Sequence, residues 1–156
     1  MTEVLRFLLL VVLASASVHG STAELAPTGV LRATFNALNA GDARFDRRTQ
    51  TIVGPAAEIT KELSRRVGAP FEMIGVDGVP AVIDRIKTRH ADVGFVPCDA
   101  SMAKEVDYSQ AYAEVRGAGQ CMIVARGGHM KLDIVNKLID EIRANGKLRE
   151  IVMRRY

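Results

Sequence analysis

Hydrophobic positions recur at two periods along this chain, and the switches between them lay out its elements. Between Pro55 and Gly68, Ile59, Leu63 and Val67 fall every fourth residue, one stripe of an amphipathic helix. Pro55 suits the first turn, where its missing N–H would have had no partner, and Gly68 suits the left-handed residue that ends a helix. Phe71 to Val76 is an apolar run of strand length. Pro80 opens a second helix with Val82, Ile83 and Ile86 inward, and Ala91 to Pro97 is a second apolar strand. Upstream, Glu24 to Gly29 reads as a polar lead-in and Val30 to Asn36 alternates apolar and polar residues as a first strand. Ala37 to Gln50 reads as a loop, and Thr51 to Gly54 leads into the first helix.

Downstream, Asp99 predicts an N-cap for one or two helical turns over Ala100 to Glu105, followed by a polar loop ending in Tyr108-Ser109-x-x-Tyr112. Gly117 to Arg126 is one more strand, left through the joint Gly127-Gly128-His129-Met130. Leu132, Val135, Leu138, Ile139 and Ile142 share one face of a long helix. Asn145-Gly146 breaks it, and Leu148, Ile151 and Val152 mark a shorter one. Strand, helix and strand in this order predict an α/β fold, a parallel sheet with helices packed on it. Ligands in such sheets sit at the carboxyl ends of the strands, here the loops after Asn36, Val76 and Pro97.

Composition adds a compartment. The chain has 156 residues, 48% hydrophobic and 25% charged, the profile of one globular domain. Leu5 to Leu13 is apolar except for Arg6, and the small residues Ala14 to Ser17 follow. That order reads as a secretory signal over residues 1–23, with residues 24–156 as one domain. The run falls short of the ~20 apolar residues of a membrane span, although Glu3 weakens the basic start and keeps an uncleaved anchor as the alternative.

Charge excludes a partner class. The net charge is +3, but the basic residues come as pairs, Arg47-Arg48, Arg65-Arg66 and Arg154-Arg155. With no Trp and 5% aromatics there is no basic stripe with interleaved rings, so nucleic acid is not indicated. Cys98 and Cys121 would bridge in an oxidising compartment if their strands are neighbours; otherwise they are two buried thiols. His90 and His129 stand apart and no Cys-x-x-Cys pair occurs, so neither a metal nor another cofactor is expected.

Several stretches together resemble a known family. They are Gly29-Val30-Leu31-Arg32 with Phe35-Asn36, Gly54-Pro55-Ala56-Ala57-Glu58-Ile59, Ala91-Asp92-Val93-Gly94-Phe95, Val106-Asp107-Tyr108-Ser109-Gln110-Ala111-Tyr112 and Asn145-Gly146-Lys147-Leu148. Their order and spacing are similar to the polar amino-acid branch of the bacterial periplasmic solute-binding proteins, solute-binding protein family 3 of ABC importers. The resemblance implies the type II periplasmic-binding fold, two lobes closing on a ligand. Here the interval from Tyr112 to Leu132 holds one strand and a turn, so the second lobe is missing and a single lobe is expected. The lobe that the resemblance implies is a mostly parallel sheet with helices on both faces, in which the strand Gly117 to Arg126 would run antiparallel.

Asn36, Asn39, Asp99, Met102 and Ser109 fall at the strand-end surface and are the ligand-contacting candidates. Four of them have a structural alternative: turn formation for the asparagines, helix capping for Asp99, and fixing the chain's turn for Ser109, as for Tyr112. Met102 stands where the family holds its ligand's carboxylate with an arginine, and a thioether offers no donor. Asp99, at a position usually bearing a hydroxyl, would repel a carboxylate.

The resemblance thus implies a periplasmic binding protein for an amino acid or similar small polar solute, partnered by an ABC permease. Binding should be weak with one lobe, unless two copies face each other and rebuild the cleft. The alternative is a self-associating or protein-binding module without a small ligand, using cleft surface around Phe95, Met102 and Tyr112. An enzyme is not expected, because no Ser-His-Asp order, paired carboxylates or metal spacing is present.

Overall fold

The computed structural model describes residues 20–156. Residues 1–19 of the predicted secretory signal, its apolar run included, lie outside them, and residues 20–23 lie within. Among the described residues no helix is long and apolar enough to cross a membrane.

The central sheet contains β1 (Leu31–Asn36), β4 (Phe71–Val76), β5 (Val93–Pro97), β6 (Val106–Tyr108), β7 (Ala113–Val115) and β8 (Ala118–Ala125), in the order β4-β1-β5-β8-β6 with β7 also on β8. The strand β1 is parallel to β4, from Leu31 opposite Phe71 to Asn36 opposite Val76, and parallel to β5. Only β8 runs against the rest: it is antiparallel to β5, β6 and β7. The expected mostly parallel sheet with one reversed strand is therefore what forms.

Helix α1 (Pro55–Val67) follows its sequence signals. Pro55 occupies the first turn with Glu58 beside it, Arg65 and Arg66 lie in the last turn, and Gly68 closes it at φ 69°. Its stripe of Ile59, Leu63 and Val67 packs with α3 (His129–Ala144) and α4 (Lys147–Met153) on the sheet face bearing Leu31, Ala33, Phe35, Val93, Phe95, Met122 and Val124. Helix α2 (Val79–Lys87) covers the opposite face, where Val82, Ile83 and Ile86 meet Val96, Val106 and Ile123. The paired arginines are partly absorbed by this helical layer, with ion pairs Arg65–Glu62, Arg66–Glu141 and Arg154–Glu58.

Three short expectations need correction. The predicted loop Ala37 to Gln50 contains β2 (Arg44–Asp46), which pairs antiparallel with β3 (Thr51–Val53), where a simple lead-in was expected. Strands this short carry too few alternating positions to show a period. The polar loop ending at Tyr112 likewise contains β6 and leads into β7, both held by the long strand β8. The polar lead-in is not wholly polar in its environment: residues 20–25 are helical, and Leu25 and Ala26 are buried in the core. The Thr22 hydroxyl donates to the Val67 carbonyl and fixes this segment to the end of α1.

Two contacts set the ends of the sheet. At the amino edge, Arg32 donates through Nε and Nη2 to the two oxygens of the buried Asp92 carboxylate, at 3.1 and 2.8 Å. At the carboxyl edge, Gly54 adopts φ 128°, and a Cβ there would lie 2.5 Å from the Asp42 carbonyl. Only glycine lets the β1 loop approach the start of α1 this closely, with Ala56 N donating to Asp42 O at 3.0 Å.

Candidate functional site

The carboxyl ends of β1, β4 and β5 form one edge, and the loops leaving them carry most of the sequence-derived candidates. Asn36 ends β1. Its Oδ1 accepts from Leu38 N and from Gly78 N, both at 3.0 Å, and so ties the β1 loop to the start of α2. Asn39 N donates to Asn36 O, and the Asn39 carbonyl accepts from Asp42 N at 3.1 Å, a turn geometry. Asp99 is exposed, and its Oδ1 accepts from Ser101 N at 2.8 Å, capping the 3-10 turn Ala100–Met102. Those bonds to Ser101 hold its carboxyl below the usual range.

Met102 sits half-buried against the α2-side core. Ser109 does not share the exposed edge. It is 6% exposed, its hydroxyl donates to Gln110 O at 2.7 Å and accepts from Met122 N at 2.8 Å. The structure thus places Asn36, Asn39 and Asp99 on the loops of one sheet edge, packs Met102 on the α2-side core, and spends Ser109 on backbone.

The expectation of an exposed surface around Phe95 and Tyr112 is overturned. Phe95 is 1% and Tyr112 4% exposed, their rings packed edge to face with centroids 5.8 Å apart. The exposed apolar side chains near the β1 loop are Leu38 and Phe45 instead. The disulfide left open by the sequence forms: Cys98 and Cys121 bridge with Cα atoms 5.1 Å apart, binding the loop after β5 to β8.

Two residues at this edge escaped sequence reasoning. Asp42 is 4% exposed and accepts the Tyr112 hydroxyl proton at 2.6 Å through Oδ1. Burial pushes its carboxyl up to about 6, against the opposing pull of the Tyr112 bond, and burial together with the Asp42 charge raises the Tyr112 hydroxyl in turn. Gln120 is 3% exposed; its Nε2 donates to Ala118 O at 3.3 Å, while its Oε1 has no partner among the described residues. The signal for Gln120 was legible as a lone amide in an apolar strand. Nothing in the loop sequence marked Asp42 as buried. Two hollows of about 270 and 320 Å³ lie elsewhere, the first between Tyr112 and α4, the second between residues 20–24 and α3.

Comparison with protein-family models and with curated proteins gives no match. Solved structures do match. The arginine-bound form of domain 1 from TmArgBP is similar at a TM-score of 0.66 and 22% identity, covering 76% of this chain and 97% of that one. The fold is that of one periplasmic-binding-protein lobe. An amino acid ABC transporter substrate-binding protein from Streptococcus pneumoniae, bound to L-arginine, gives a TM-score of 0.73 at 9% identity over 85% of this chain and 95% of that one. The periplasmic domain of BvgS from B. pertussis gives 0.73 at 16% identity, over 86% of this chain and 44% of that one. The architecture that the sequence resemblance implied is therefore found in the structure.

Proposed function

We propose that this protein is an exported solute-binding lobe that takes a small polar solute at the carboxyl ends of β1, β4 and β5 and serves an ABC import system. The observation that carries the reading is the edge itself. Asn36, Asn39 and Asp99 converge on loops pinned by the Asn36–Gly78 bond and the Cys98–Cys121 bridge, where α/β sheets hold their ligands. Domain 1 of TmArgBP, similar over nearly its whole length, is described in an arginine-bound form, so a lobe of this fold can hold solute without a second one. That precedent moderates the expectation of weak binding for a single wall. The disulfide fits an oxidising compartment, in keeping with the signal segment proposed for residues 1–23.

Calorimetric titration of the purified lobe with polar amino acids and amines is expected to give saturable heats at millimolar concentration or below. Flat titrations across the panel at millimolar solute would overturn the reading. A second reading, self-association across this edge, is favoured by Leu38 at 73% and Phe45 at 53% exposure. Sedimentation during the same titrations separates the two, because a dimer that forms without solute supports assembly.

A further inference from the structure

The central sheet ends on one side at β6, which is 3 residues long, and on the other at β4, which is 6. Among the described residues β4 has β1 as its one strand neighbour. Sheet edges are ordinarily blunted by shortness, proline, lysine or a bulge, because their unpaired N–H and C=O groups are a template for another chain. The strand Phe71–Val76 has none of these, and Glu72 is its only charge. Its outward groups follow from the ladder. The carbonyls of Pro70, Ile74 and Val76 accept from Leu31 N, the Thr34 hydroxyl and Ala37 N on the β1 side. By alternation, Phe71, Met73 and Gly75 turn their N–H and C=O groups away from β1, toward the open edge. The same three residues share the sheet face of their register partners Leu31, Ala33 and Phe35. On that face Phe71 is 37% exposed and Met73 is half-buried against the core. Gly75 is exposed backbone beside Phe35, where a Cβ would come 3.0 Å from the ring.

We propose that β4 is an interface for a second copy of this chain: the two β4 strands pair antiparallel about a two-fold axis at Met73 and join both sheets into one. The outward groups set the register. Across that axis Met73 faces Met73, and Phe71 of each copy faces Gly75 of the other, so every outward residue exchanges both of its bonds. Any other register that points outward groups at one another leaves some of them beyond the end of the opposite strand. The register also lays each Phe71 ring across the bare Gly75 of the second copy, an aromatic cover for an edge glycine. One strand's own sequence thus supplies both halves of an isologous contact. On the other face Glu72 stands opposite Ile74 of the second copy, which brings the two carboxylates diagonally near each other. Arg32, the register partner of Glu72 and held more firmly charged by it, offsets part of that repulsion. The antiparallel joint sends the carboxyl ends of the two sheets in opposite directions. Such a dimer leaves each solute edge open and rebuilds no cleft, so it stands apart from the solute-binding reading.

The test is sedimentation equilibrium of the purified protein, from micromolar to hundreds of micromolar, on wild type, Phe71→Lys, Met73→Pro, Glu72→Gln and Leu38→Ser. Met73→Pro removes an outward N–H and sets a ring on the axis while leaving the bonds to β1 in place. Wild type is expected to dimerise without solute. Phe71→Lys and Met73→Pro should each weaken the dimer about tenfold or more, and Glu72→Gln should tighten it. Leu38→Ser, on the exposed β1 loop, should leave it unchanged. Register is read separately by cross-linking. A hydrogen-bonded antiparallel pair holds its Cα atoms about 5.5 Å apart, within reach of a disulfide. Mild oxidation should therefore link Met73→Cys into a covalent dimer and leave Ala144→Cys, an exposed control on α3, monomeric. Circular dichroism confirms that each variant is folded; should Met73→Pro not fold, Phe71→Lys and the cross-link decide. A wild type that stays monomeric throughout the range would overturn the proposal. So would a dimer weakened by Leu38→Ser but not by Phe71→Lys, which would move the contact to the carboxyl-end loops.

Discussion

Asp42→Asn is expected to stabilise the protein at neutral pH, by up to roughly 3 kcal/mol, and to remove a pH dependence of unusual sign. Burial raises the folded-state carboxyl from 3.8 to about 6. At 1.36 kcal/mol per unit that is a penalty of roughly 3 kcal/mol for holding the charged form inside. Below the unfolded value both states are protonated and the penalty is absent. Between 3.8 and about 6 the folded state binds more protons than the unfolded one, so this group's contribution falls as pH rises. Above that window the full penalty is present. Asparagine keeps an acceptor for the Tyr112 hydroxyl but adds N–H donors that need partners, so the observed gain should fall somewhat short. Urea unfolding of both proteins from pH 4 to 8 checks this, since other titrating groups cancel in the difference. The curves should diverge across the window; parallel curves would refute the buried charge. A residue that destabilises its own fold in this way is a stronger functional candidate than one that merely fills space.

Removing the Cys98–Cys121 bridge is expected to cost about 3 kcal/mol, the loop-closure value for its sequence separation of 23. The double variant Cys98→Ala, Cys121→Ala should therefore show a lower urea midpoint with little change in slope. The loss should also reach the candidate edge. Cys98 N bonds Gly119 O at 2.8 Å, and the next residue is Asp99, so the bridge holds the capped turn against β8. Amide exchange at Ser101 and Met102 should quicken in the variant beyond what the global loss explains. An unchanged midpoint would mean that the β5–β8 ladder fixes the loop by itself.

The sequence was most legible where one residue's role depends on near neighbours in the chain. Pro55 and Gly68 bracket α1, Asp99 caps its turn, and Val82, Ile83 and Ile86 face inward. The resemblance extended this to the order of elements and to the single reversed strand. The candidate edge was legible only in part. Asn36 and Asn39 were found, but in turn-forming geometry, while Ser109, inside the most recognisable motif, holds backbone. Residues such as Phe95 and Tyr112, expected at the surface once a second lobe is missing, turned out to be packed on each other.

By itself the sequence determined the periods, the caps and hence the α/β lobe, because helix stripes, strand runs and glycine stops are written within a few residues of one another. Only the tertiary structure decided which side chains are buried beside which. Asp42 and Tyr112 lie 70 positions apart and meet because Gly54 lets the β1 loop close on α1. A carboxylate's charge state and an amide's missing partner are properties of such meetings, and no local pattern of residues encodes them.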